Sequence, residues 1–164
     1  MLTGNIFFES FVYCGLSTIA LTIIGAKNPR IMLHKYPKEI QAAVPPRTDI
    51  EKKQARIYAV PFLLVTIFYP LYSGWHICSS QHLSFGEMFM HVWTLMLAFN
   101  IYDLIILDWL MFCTITPRFI VIAGTAGNKG YKNYMFHFVG FLKGIVITLV
   151  VAVIPSGLLY FICP

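Results

Sequence analysis

A chain of 164 residues that is 58% hydrophobic and only 12% charged is not a soluble globular domain, in which about a quarter of residues carry charge. Its mean hydropathy of +0.72 marks an integral membrane protein. The formal net charge of +5 is not a nucleic-acid signature, because no exposed basic face with a docking element accompanies it; it belongs to membrane orientation and lipid-headgroup contact.

Four apolar blocks stand at about 6–26, 57–77, 85–114 and 135–163, each near or above the ~20 residues that carry a helix across ~30 Å of hydrocarbon. The predicted fold is all-α: one domain over 1–164, a bundle of four transmembrane helices with one long basic connection over 27–56. Eight of the twelve Lys and Arg residues (Lys27, Arg30, Lys35, Lys38, Arg47, Lys52, Lys53 and Arg56) lie between the first two blocks. Arg118, Lys129 and Lys132 lie between the last two, while the first eleven residues, the 78–85 loop and the C-terminus have none. The positive-inside rule then puts both basic loops in the cytosol and both termini outside, N-out/C-out, in a multi-pass arrangement expected in a cell (inner) membrane. No basic region precedes the first block, which argues against a cleaved signal peptide.

Within the first connection, Pro37 suits the first position of a short helix over 37–44, which Pro45 and Pro46 end. Thr48-Asp49-Ile50-Glu51 reads as a capping box, so the second helix is predicted to begin there, well before its apolar part. Pro61, Pro70 and Pro155 fall inside spans, where each frees a carbonyl and can kink its helix. No internal or inverted repeat of the transporter type is evident.

Around the next turn, His76, Cys78, His82, Glu87 and His91 lie within sixteen residues. Such groups can bind zinc or copper, but their spacing is irregular and matches no established site, so loop histidines without a metal are expected. No cofactor motif is present. Of four cysteines, Cys78 and Cys163 fall on the same outer face, where a disulfide can persist; Cys14 and Cys113 do not, and the absence of C-x-x-C weighs against a thiol-disulfide oxidoreductase.

Ser84-Phe85-Gly86-Glu87 repeats the capping-box pattern at the start of the third span. That span carries Asn100, Asp103 and Asp108, and an uncompensated carboxylate near the bilayer centre costs about 2.5–3.5 kcal/mol on insertion scales. At 100° per residue the three share an arc of roughly 140°, with Asp103 about 24 Å and Asp108 about 31 Å along the helix from Glu87. A hydrolase working through an aspartate pair, as lipoprotein signal peptidases do, needs two carboxylates converging on one water. Five residues apart on an α-helix, these two diverge by roughly 140°.

The loop from Thr116 to Gly130 begins with Pro117 and Arg118, continues through an apolar piece, Phe119–Ile122, read as a short extended or interfacial segment, and ends in a glycine turn. It is no Walker P-loop, since Lys129 is followed by Gly130. Arg118, Lys129 and Lys132 beside that turn suit lipid headgroups, or a phosphate or carboxylate at a cavity mouth. On the fourth span Lys143 lies about 12 Å beyond Met135, at a depth between the two carboxylates. Gly140 and Gly144 have the spacing that admits a neighbouring backbone, and His137 lies within about 60° of Gly140.

Two readings follow. In one, Lys143 pairs with Asp103 or Asp108 and Arg118 caps the third helix, a purely structural arrangement. In the other, Asn100, Asp103, Asp108, Lys143 and His137 line a cytosol-facing polar cavity with Arg118 as an anion contact, for binding or transport of a polar or amphipathic small molecule. Dimerisation would then help, since four helices alone are expected to enclose little aqueous volume. The alternatives are an enzyme acting on a lipid-linked substrate, with Asp108 or His137 as base, and an accessory subunit of a membrane complex. The expected partners are membrane lipid, a small-molecule ligand, and a second copy or another membrane subunit.

Overall fold

The computed structural model describes residues 5–163; the side chains of residue 5 and of residues 24–27, Lys27 among them, lie outside the described residues. Among the described residues there is no strand, and four helical stretches are long and apolar enough to cross a membrane: Ile6–Ile23, Asp49–Cys78, Phe85–Ile115 and Tyr134–Ile162.

Helix α1 spans Asn5–Lys27. The Asn28 side chain then accepts from Arg30 N at 2.9 Å, starting a 3₁₀ turn over Pro29–Lys35. The short helix predicted after Pro37 forms as α2, Lys38–Ala42. Helix α3, Asp49–Cys78, starts on the predicted capping box: Glu51 N donates to Thr48 Oγ1 at 3.2 Å, and Thr48 N donates to Glu51 Oε2 at 2.8 Å. Its 30 residues make about 45 Å of helix, so its first turns stand outside a 30 Å apolar slab. Pro61 and Pro70 lie inside α3 without ending it. Helix α4, Phe85–Tyr102, opens on the second predicted box, Ser84 with Glu87.

Two helices depart from the α-helical expectation. From Asp103 to Ile115 the third span is π-helical, with its wider turn visible where Thr116 N donates to Met111 O, five residues back, at 2.9 Å. The fourth span is two helices, α5 (Tyr134–Val151) and α6 (Val153–Ile162), separated at Ala152. Pro155 explains the break, because it has no N–H for the Val151 carbonyl and its ring crowds that residue.

Helix α4 is the centre of the bundle, packing on α1, α3, α5 and α6. One end is held by Met88, Val92, Met96, Ala152 and Leu159 and is closed by a Cys78–Cys163 disulfide, a pairing that their shared face allowed. Leu159 packs into the space that Gly74 leaves, where a Cβ would run into the end of its side chain. At the other end the two basic connections fold together. Leu33, Tyr36, Ile40, Ile122 and Tyr131 form a second apolar cluster, Tyr36 Oη donates to Ile120 O at 2.9 Å, and Ile122 N donates to Tyr131 Oη at 2.9 Å. The apolar piece expected to be extended or interfacial is therefore a turn whose Ile122 is fully buried. Glycines at positive φ, Gly124 (84°) and Gly127 (78°), carry the chain around it.

Candidate functional site

A cavity of about 1410 Å³ opens at this basic end. Its walls are the first half of α3, the π-helical stretch, the first half of α5 and the folded basic connections, with α1 contributing Thr18, Leu21 and Thr22. Helix α3 packs against α6 towards the disulfide end but makes no extended contact with α5. The two therefore diverge towards the basic end, and the cavity occupies the gap.

Five of the six residues singled out in the sequence border it: Asn100, Asp103, Asp108, His137 and Lys143. Arg118 does not, and it does not cap the third span either. Lys132 performs that capping, donating from Nζ to Cys113 O at 2.5 Å, Thr114 O at 3.0 Å and Thr116 Oγ1 at 3.2 Å. A cation there meets the negative end of the helix dipole and the carbonyls left open by the turn at Thr116, whose φ is 50°. Lys132 is consequently engaged in the fold rather than available as the anion contact its position in the loop suggested.

The π-helix rearranges the acidic face. Its cavity-lining residues are Asp103, Leu104, Leu107, Asp108, Met111 and Phe112, a four-and-five spacing that matches i→i+5 bonding. The divergence of about 140° expected on an α-helix does not apply, and both aspartates reach one cavity. What distinguishes them is their partners. Asp108 Oδ1 lies 2.9 Å from His137 Nδ1, whereas Asp103 has no ion-pair partner among the described residues. Neither carboxylate pairs with Lys143, so the expected Lys–Asp bridge is replaced by a His–Asp one.

His137 is 6% exposed and Asp108 28%. Since an ionised carboxylate only accepts, Nδ1 carries the proton and the tautomer is fixed. The ring is held between Phe112, at a centroid distance of 4.8 Å, and Phe136, at 5.3 Å. Its Nε2 is buried without a partner. Asn100 donates from Nδ2 to Phe141 O at 3.4 Å, and its carboxamide occupies the space left by Gly144, where a Cβ would meet it at 2.6 Å. Gly144 thus admits a side chain rather than the backbone its spacing predicted, and Gly140 has nothing within 4 Å of a built Cβ.

Six cations line the cavity, Lys35, Lys38, Arg47, Lys52, Arg56 and Lys143, against three carboxylates, Glu39, Asp103 and Asp108. Lys52 is paired with Asp49 at 2.8 Å, and Arg47 donates to Ile31 O at 3.0 Å. His34, also in the wall, has its pKa lowered by partial burial and then by Arg47 and Lys35. The role of α3 as a wall was legible but missed: Lys52, Ala55, Arg56, Ala59, Phe62 and Leu63 recur at one-face helical spacing. A single chain forms this cavity, with residues of the two basic connections completing the wall that its helices begin.

A second polar group, in the disulfide half, escaped the sequence reading. Ser73 Oγ donates to Glu9 Oε2 and lies 2.7 Å from His91 Nε2. With the hydroxyl hydrogen given to Glu9, Nε2 of His91 carries the other proton and Nδ1 remains unpartnered. The carboxylate takes the serine hydroxyl and lies 3.8 Å from His91 Nε2, the same ring nitrogen that faces the serine, so the serine–imidazole–carboxylate order of a serine hydrolase relay is not formed. The signal was Glu9, an acid inside the first apolar block. The remaining outer groups disperse: Cys78 is in the disulfide and Glu87 in the cap, and no three His, Cys, Asp or Glu side chains gather as a metal site among the described residues.

Comparison of the chain with protein-family models, with curated proteins and with solved structures returned no match.

Proposed function

We propose that this chain is a multi-pass protein of the cell (inner) membrane that binds a polar or amphipathic small molecule in a cytosol-facing cavity, for transport or in support of it. One observation carries the reading: the cavity of about 1410 Å³ is bordered by Asn100, Asp103, Asp108, His137 and Lys143 together, the last four being ionisable groups whose charged forms a helix bundle in lipid would otherwise bury at a cost of several kcal/mol each. The N-out/C-out orientation is supported twice, by the cations gathered at one end and by a disulfide at the other, since disulfides persist in oxidising compartments. Exposed apolar side chains along the helices, such as Phe11, Ile67, Phe68, Val146 and Ile147, suit contact with lipid.

The test uses Gly140→Cys, at a cavity position where a side chain meets no obstacle. A membrane-impermeant maleimide should label it in inside-out vesicles and not in right-side-out ones, above the background of the buried Cys14 and Cys113. Labelling from neither side means no open cytosolic cavity, and the reading fails. In cells, Asp103→Asn should abolish complementation of a deletion strain. A wild-type phenotype for Asp103→Asn combined with Lys143→Met would instead favour a structural subunit.

A second reading has its own observation. Asp108 on Nδ1 and a free Nε2 on His137 are the arrangement of an oriented general base, which favours an enzyme acting on a lipid-linked substrate at the same cavity. Product formation from such a substrate, lost in His137→Gln, separates it from transport.

A further inference from the structure

Resting on the cavity-binding reading above, the shape and charge of the site narrow its ligand. Helices α3 and α5 both line the cavity without packing extensively on each other, and Leu63 of α3 and Val139 of α5, both in that lining, are exposed, so the cavity has an apolar-flanked side as well as a polar mouth. Apolar side chains such as Phe62, Leu63, Phe99, Leu107 and Val139 stand in its lining. Its volume of about 1410 Å³ exceeds the roughly 300–1,000 Å³ of ordinary small-molecule pockets. Room, apolar lining and an apolar-flanked side together suit a ligand that carries a hydrocarbon chain.

The charge indicates the other half of that ligand. Of the six lining cations, Lys35, Lys38, Arg47, Arg56 and Lys143 have no ion-pair partner among the described residues, Arg47 being held instead on a backbone carbonyl, and the three carboxylates are outnumbered. Lys143 matters most, because it stands nine residues into α5, about 14 Å from the helix start, where an ammonium without a counter-ion is costly. His137, elsewhere in the same wall, keeps its Nε2 buried without a partner. A multiply charged oxyanion satisfies several of these groups at once; a neutral or zwitterionic headgroup does not.

We propose that the cavity binds a membrane lipid with an anionic phosphate headgroup, admitted between α3 and α5, its phosphate held by Lys143 with the lining cations Lys35, Lys38 and Arg56 and its chain by the apolar lining. The full chain, purified in a non-ionic detergent, would be titrated calorimetrically with three probes below their micellar concentrations: oleoyl lysophosphatidate, oleoyl lysophosphatidylcholine and inorganic phosphate. Lysophosphatidate should bind saturably at one per chain, at least tenfold more tightly than lysophosphatidylcholine and a hundredfold more tightly than phosphate. Lys143→Met should weaken it about tenfold, the scale of one charge-assisted hydrogen bond. Lys143→Arg should retain binding, which separates charge from a folding defect. Lys129→Met, the same charge change outside the lining, should leave it within twofold.

Equal affinity for the two lysolipids overturns headgroup recognition. Phosphate binding as tightly as lysophosphatidate overturns the lipid and leaves a free-anion site, and an equal loss in Lys129→Met reduces the effect to general charge attraction. Gly140→Cys labelling on the same preparation distinguishes the two levels of failure: a labelled cysteine without lysophosphatidate preference sinks the lipid proposal alone, whereas an unlabelled one sinks the cavity reading with it.

Discussion

The His137–Asp108 pair is the contact on which the cavity's chemistry most depends, and a double-mutant cycle measures it. His137 is 6% exposed and Asp108 28%, so the two single changes should be unequal. Asp108→Ala leaves both imidazole nitrogens buried without partners, because Nε2 has none already; the cost of stranding such a group, about 1–3 kcal/mol, falls in full. In His137→Phe the ring contacts with Phe112 and Phe136 can be retained, and the more exposed Asp108 regains water from the cavity, so the polar part of the loss should be about 1 kcal/mol or less. In the double variant there is no imidazole left to strand. Its destabilisation should therefore fall short of the sum by about 1–2 kcal/mol, within the range seen for residues in direct contact. Unfolding in mixed micelles of dodecyl sulfate and a mild detergent, followed by circular dichroism, supplies the four stabilities. Additivity to within about 0.5 kcal/mol would refute the pairing and, with it, the argument that Asp108 sets the tautomer of His137.

Three further outcomes are expected. Lys132→Met removes three contacts at the end of the third span and should cost about 1–2 kcal/mol, a hydrogen bond plus a helix-end charge effect, read as a lower melting temperature and faster thiol modification of the fully buried Cys113. Gly130→Ala places a Cβ 2.9 Å from Ile40 Cγ1 and 3.2 Å from Glu39 Cβ; overpacking of about 1–3 kcal/mol should loosen the basic-end cap, seen as faster proteolysis of the two connections with helical content unchanged. His34 is held below its ordinary pKa of 6.5 by burial and by Arg47 and Lys35, so the unfolded chain binds the proton more readily and stability falls as pH drops through about 6.5. His34→Gln should flatten that part of the melting-temperature profile between pH 7.5 and 5.5, and an unchanged profile would remove His34 from the account.

Legibility in the sequence followed the range of the interactions. Both capping boxes, at Thr48 and Ser84, are four-residue signals whose atoms are near in chain and space, and both formed. The Cys78–Cys163 pairing needed only the knowledge that two spans end at one face. The cavity residues of the third and fourth spans were legible because an ionisable group in an apolar run has few places to go. Contacts that join distant loops carried no such mark. Lys132 rather than Arg118 reaches the end of the third span, because Asn128 and the turn after it aim Lys132 back at Cys113 and Thr114, and loop composition does not encode direction. Glu9 went unread for a different reason: its partners, Ser73 and His91, lie on two other helices and are unremarkable alone.

The π-helical stretch shows how a backbone change decides side-chain chemistry. The run Asp103–Ile115 contains no glycine or proline to mark a departure from α geometry, and the features that accompany the departure are tertiary. Trp109 donates from Nε1 to Tyr134 O at 3.3 Å, Thr114 Oγ1 donates to Trp109 O five residues back at 2.7 Å, and Lys132 holds the terminal carbonyls. With α-helical winding, Asp108 would lie roughly 140° from Asp103. A face that presented one carboxylate to the cavity would then turn the other away from it, and His137 would lose its partner. The wider turn brings residues five apart to one side, so the cavity receives both acids, and the one nearer the basic end is taken by an imidazole. The contacts from Tyr134 and Lys132 at the foot of α5 thus do more than fasten a helix end: they support the winding that puts Asp108 against His137.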